Sequence, residues 1–224
     1  MQNPNRNQLL VIGAVAFVAL AVALGWLWGA KKTRDLESSA RGSIVATTAL
    51  LREALALSPD ATGAHAKIEQ HGKTVGQYLA ALRREDSDRN RALAEAAELY
   101  LVDAQAMLRN QANAVQARGT SAASRRALVA HISHAGGRGA GWIDQALALK
   151  GRTERYYFEY RTAMGAFADL LKAHRDTQDK VRAALPAAPL LEAAVVDGAY
   201  QRARQAEEQA AAELERIRQM VVPR

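Results

Sequence analysis

The sequence predicts an all-α protein: a single N-terminal transmembrane helix followed by an antiparallel up-and-down helical bundle with long, coiled-coil-like helices. Three observations carry that expectation. Residues Leu9 to Ala30, LLVIGAVAFVALAVALGWLWGA, contain no charged residue and no Asn or Gln. Beyond them Ala, Leu, Arg, Glu and Gln dominate, and these are strong helix formers. Apolar residues there recur at steps of three and four, the spacing of one helix face, and no alternating strand pattern extends beyond a few residues.

The chain divides into a polar tail at 1–8, an anchor at 9–30 and a helical domain at 31–224. At about 1.5 Å rise per residue the anchor makes a helix of roughly 33 Å. A bilayer's hydrocarbon core is about 30 Å thick, so the segment spans it with little tilt. A cleaved signal peptide is the main rival, because Ala21-Val22-Ala23 fits the small-residue cleavage rule. The apolar run is too long for one, and cleavage would leave a greasy new terminus. A buried core helix would keep a polar stripe, and none exists here. Trp26 and Trp28 fall at the headgroup level, and Lys31, Lys32 and Arg34 come directly after, within reach of lipid phosphates. These five residues are the expected membrane interface.

The side of the membrane is set by two opposed signals. Only Arg6 precedes the span, while Lys31, Lys32 and Arg34 lie beyond it, which favours a cytoplasmic domain. A short tail before one span is also the form of a signal anchor, which exports the domain behind it, and long domains translocate largely regardless of charge. The reading adopted is a single-pass protein of a bacterial inner membrane with its bulk on the exported, periplasmic side.

A net charge of +7 with pI near 9.9 suits anionic lipid or an acidic partner. Basic and acidic residues are interleaved, as in Arg152-Thr153-Glu154-Arg155, and no aromatics are set among basic residues as a stacking platform, so nucleic acid is not an expected partner. The absence of cysteine excludes disulfides, thiolate metal sites and a Cys nucleophile.

In the domain, the first helix runs to about Leu57, with Ile44, Thr48, Leu51 and Leu55 on one face. Ser58-Pro59-Asp60 stops it. The second covers about Ala61 to Glu85, faced by Ile68, Val75, Leu79 and Leu82. Asp86-Ser87-Asp88 closes it and offers an N-cap for the third. That third helix, about Asp88 to Arg118, carries a narrow seam of Leu93, Ala97, Tyr100, Ala104, Met107, Gln111 and Val115. Gly119-Thr120-Ser121 reads as a break before a short helix to His134. Four glycines in positions 136 to 141 then form a flexible link. The next helix runs from near Trp142 through Gly151 to Leu185 with the most regular seam: Tyr160, Met164, Phe167, Leu171, His174, Gln178, Val181, Leu185. Pro186 and Pro189 separate it from a last helix, about Leu190 to Val222, whose seam is mostly alanine. Short connections between such helices imply neighbours packed antiparallel.

Little here gathers chemistry. His131 and His134 share a helix face, but no Asp or Glu lies within nine residues on either side, and Arg125, Arg126 and Arg138 repel a cation. They read as helix-end histidines, and no metal is expected. Gly137-x-Gly139-x-Gly141 has the wrong spacing for a dinucleotide fingerprint and comes after a helix rather than a strand. No cofactor is expected, although an anion at the next helix N-terminus keeps some weight. His174 on its seam reads as a hydrogen-bonded core residue. No nucleophile, base and orienter come together, so no enzyme is expected.

Tyr156-Tyr157-Phe158-Glu159-Tyr160 is the one aromatic cluster. Consecutive helix positions point in different directions, so all four rings do not fit one core. Tyr156 and Tyr160 fit the seam, and Tyr157 and Phe158 fall to its flank. Tyr156, Tyr157 and Phe158 are therefore the candidate interaction surface, against the alternative that Trp142 or a neighbouring helix covers them. The functional expectation is a membrane-anchored, non-catalytic scaffold, assembly factor or accessory subunit. It would work through helix-mediated contacts with a protein partner or a second copy. The alternative is a ligand-sensing bundle that passes its state to a partner. Bacterial chemoreceptor sensor domains share the layout of a membrane helix leading into such a bundle, an analogy of architecture alone.

Overall fold

Alanine-rich amphipathic sequence with few breakers gives long helices, and the computed structural model shows five of them and no strand among its described residues, 35–84, 90–134 and 140–220. They are α1 over 35–56, α2 (Ala64–Leu82), α3 (Arg91–Ser133), α4 (Ala140–Ala184) and α5 (Ala193–Gln219). The tail, the anchor, Trp26, Trp28, Lys31, Lys32 and Arg34 all lie outside the described residues, as do Asp86-Ser87-Asp88 and most of the glycine link. Within the described residues no helix is long and apolar enough to cross a membrane.

Cross-helix contacts give the directions. Arg83 meets Glu98 and Gly72 faces Leu108, so α2 and α3 are antiparallel. Asp103 meets His174 while Ser124 meets Thr153, so α3 and α4 are too. Asp169 pairs with Arg204, and Lys150 Nζ donates to the Arg218 carbonyl, so α4 and α5 also alternate. Helix α1 runs parallel to α3, with Thr48 beside Tyr100 and the Ala54 carbonyl accepting from Gln111 Nε2 at 2.6 Å.

The interior forms two clusters along the length of α3, α4 and α5. The larger joins all five helices through Ile44, Ile68, Tyr100, Leu108, Leu171 and Val196. The smaller joins only the far halves of α3, α4 and α5, through Leu128, Tyr157, Tyr160, Ala210, Leu214 and Ile217. Met164 packs against both. The five described helices thus give way to three at the level where α1 ends.

The expected break at Gly119-Thr120-Ser121 is not made: α3 continues through it to Ser133. Both hydroxyls are absorbed by the helix itself, Thr120 donating to the Gln116 carbonyl at 3.1 Å and Ser121 to that of Arg118 at 2.9 Å. Ser121 and Ser124 are buried, so tertiary packing on α4 outweighs the local preference for a stop. The N-cap of α3 is Asn90, whose side chain accepts from the Leu93 amide at 3.4 Å. The narrow seam foreseen for α3 is also too narrow. Leu93, Ala97, Tyr100, Ala104, Met107 and Gln111 are buried, but so are Ala96, Leu101, Leu108, Ala112 and Ala114, because α3 is covered from several sides.

Candidate functional site

The strongest candidate site is a cavity of about 220 Å³ at the level where α1 ends and the smaller cluster begins. Its formation is rooted in the local sequence. Pro59 and Gly63 turn the chain away from α1, with Gly63 in a left-handed conformation at φ 78°. Arg118 of α3 pins that turn by donating to Asp60 at 2.6 Å. Deeper along α3, α4 and α5 no further helix among the described residues fills the space, and α5 presents only Ala199, Ala203 and Ala206 as apolar groups there. Leu55, Leu57, Val115, Met164 and Phe167 are among the larger apolar groups of the wall.

Its polar rim comes from Arg118, Tyr160, Arg202, Gln205 and Gln209, and no carboxylate among the described residues lines it. Arg202 donates to the Leu55 carbonyl at 3.2 Å. Burial pushes the Tyr160 hydroxyl pKa up, against the opposing pull of the Arg118 charge, so Tyr160 stays a neutral donor. A second, more open groove shares Leu55, Leu57, Pro59 and Arg202 with the cavity and adds Arg52. Those four shared residues form the partition between the two spaces. The arrangement offers an apolar interior under a basic rim. Among the described residues that line it, no nucleophile lies next to a base.

The candidate interaction surface is divided by the structure. Tyr157 is turned inward and buried together with Tyr160, one turn apart on α4, against Leu128 and Leu214. The seam face is therefore shared by Tyr157 and Tyr160 rather than by Tyr156 and Tyr160, because α5 closes on α4 from the Tyr157 side. Tyr156 is half-buried, with the Arg155 guanidinium 5.2 Å from its ring centre. Phe158 remains 55% exposed. Trp142 does not cover this cluster. It stacks on His131 at 5.1 Å, and His131 Nε2 lies 3.0 Å from the Trp142 carbonyl. His134 Nδ1 lies 2.9 Å from the Ala130 carbonyl, so both histidines turn to backbone at the end of α3.

His174 is fully buried, with Nδ1 2.5 Å from Asp103 and its ring 5.4 Å from that of Tyr100. Thr48 uses its one proton on the Ile44 carbonyl at 2.8 Å, so the Tyr100 hydroxyl must be the donor in their 2.7 Å contact. Burial pushes the Tyr100 hydroxyl pKa up to about 12; Asp103 adds to that, while Thr48 and Arg52 oppose it. The chain Ile44–Thr48–Tyr100 and the pair His174–Asp103 tie α1, α3 and α4 together inside the larger cluster. The sequence pattern placed His174 in the core but had no means of naming Asp103, which lies on another helix 71 positions away.

Compared with known proteins, the chain matches no family model, no curated protein and no solved structure.

Proposed function

We propose that this protein is a membrane-anchored helical bundle that works by binding, as a scaffold, assembly factor or accessory subunit, with no catalytic role. The supporting observation is how its reactive side chains are used. His174 and Asp103 face each other in the core, the two helix-end histidines turn to backbone carbonyls, and Arg204 is held between Asp169 and Glu207. Hydrogen bonds that Arg204 donates to the Tyr200 hydroxyl and the Glu207 carboxylate raise its pKa further, which fixes its charge in that clamp. The His174–Asp103 and Arg204–Asp169 pairs join neighbouring helices. Two large apolar side chains of α4, Leu147 and Phe158, stand exposed. The apolar stretch Leu9–Ala30 is the proposed anchor, with lipid contact through Trp26, Trp28, Lys31, Lys32 and Arg34.

Extraction in mild detergent and subsequent affinity capture test the proposal. A stoichiometric membrane protein, or a second copy of the chain, should co-purify, and Phe158→Ser should weaken its retention. A clean monomer with no partner in every detergent tried sinks it. The cavity at the end of α1 favours a second reading, a ligand-sensing bundle. Its partition is built from the last turn of α1 and the chain reversal after it, so an occupant there acts on the helix that leads back towards the proposed anchor.

A further inference from the structure

We infer that the cavity at the end of α1 binds a small monocarboxylate with an apolar tail, its carboxylate held by Arg202 and its tail lying among Leu55, Met164 and Phe167. The inference rests on the ligand-sensing reading and gives that site a ligand chemistry. Size comes first. A cavity of about 150 Å³ takes benzene, so one of 220 Å³ takes roughly nine non-hydrogen atoms. That admits a chain of about eight carbons and excludes a full membrane acyl chain. The wall chemistry requires the inner part of the ligand to be apolar.

Charge decides the head group. Two arginines reach the lining, and no Asp or Glu among the described residues does. Arg118 already has Asp60 at 2.6 Å. Arg202 meets only a backbone carbonyl among the described residues, so its charge has no carboxylate partner there. A planar guanidinium is matched by a carboxylate through two parallel hydrogen bonds. Arg202 also belongs to the partition facing the open groove, whose other arginine, Arg52, is paired with Glu192 at 3.6 Å, so Arg202 is the cation on that side left to meet an anion. Tyr160 and Gln209 on the rim supply further hydrogen-bonding groups for the second carboxylate oxygen.

The test uses the full chain in lipid nanodiscs, titrated calorimetrically with sodium octanoate and corrected with empty nanodiscs. Octanol, octylamine and acetate are the comparison ligands. Saturable octanoate binding near one per chain is expected, with no binding of octylamine or acetate. Arg202→Gln should weaken octanoate about tenfold or more, since a charge-assisted contact is lost. Ala206→Leu, which fills the cavity from α5, should abolish binding while leaving helix content by circular dichroism unchanged. Octanoate bound equally by wild type and Arg202→Gln overturns the assignment of the head group. Saturable binding of octanol or octylamine in preference to octanoate overturns the anion but leaves the cavity as a ligand site. No binding of any of the four ligands, with Ala206→Leu as stable as wild type or more so, removes both the inference and the sensing reading.

Discussion

At the scale of single residues, the interior shows how polar side chains tie a helical core together. Tyr100 donates its proton to Thr48, which passes its own to the Ile44 carbonyl, and Ser124 donates likewise to Thr153, whose proton goes to the Leu149 carbonyl. Tyr100→Phe removes one donor and leaves Thr48 satisfied, so it should cost only about 1 kcal/mol near neutral pH. Its effect on alkaline stability should be the clearer signature. The folded pKa of Tyr100, about 12, lies above the ordinary value of 10. Its contribution is complete below pH 10, where both states are neutral, and is lost as pH rises, because the unfolded chain ionises first. The loss runs on the order of 1.4 kcal/mol for each pH unit crossed between about 10 and 12. Urea titrations from pH 9 to 11.5 should therefore show the two proteins converging and then crossing below about pH 11, with Tyr100→Phe the more stable beyond; parallel curves would mean that Tyr100 is not buried. Phe167→Ala should cost about 3 kcal/mol, the low end for a buried Phe, because one side of the ring already faces the cavity. A loss under about 1 kcal/mol in equilibrium unfolding would put that face of α4 in solvent.

At the scale of elements, α3 is where local signals and packing disagree. Gly119, Thr120 and Ser121 together spell a helix end, yet the helix runs through them for 43 residues in all. A methyl group built on Gly119 meets nothing within 4 Å. Gly119→Ala should therefore stabilise the protein by about 0.5–1 kcal/mol through helix propensity alone. Gly119→Pro should cost about 3 kcal/mol or more, because it removes a hydrogen bond in mid-helix. Thermal unfolding of the pair decides the matter: if a break existed, proline would be tolerated and alanine would gain nothing. The seams of α4 and α5 were legible because they repeat three-four spacing without a competing signal. Their residues are buried from Tyr160 to Leu185 and from Val196 to Ile217, with only Met164 and Ala206 partly open. Those two exceptions both line the cavity, so the irregularity in burial marks the candidate site.

At the scale of the whole molecule, the ties of α1 to α2 and α5 matter most. Helix α1 is described from residue 35, immediately after the proposed lipid-facing basic cluster. Lys67 and His71 of α2 grip Glu53 on α1. The Lys67 hydrogen bond is the chief cause of a lowered Glu53 pKa, so this ion pair persists below neutral pH. Arg52 meets Glu192, and Arg202 meets the Leu55 carbonyl, joining α1 to the start of α5. A reporter enzyme active only after export, fused after Ala40, should be active if the domain is periplasmic. Fluorescence from a cytoplasm-only reporter at the same junction would reverse the proposed orientation.

The all-α class, the inward seams of α1, α2, α5 and of α4 from Tyr160 onward, and the stops at Pro59 and Pro186 were determined by the sequence alone, because they depend on periodicity and on backbone chemistry within a few residues. The inward turn of Tyr157, the continuity of α3 and the partnership of His174 with Asp103 were decided only in three dimensions. Each depends on which helix lies opposite, and that is set by the summed burial of the whole chain. The cavity belongs to the second class for the same reason. Alanines on α5 read as small seam residues, and only the early end of α1 leaves them facing open space beneath an arginine.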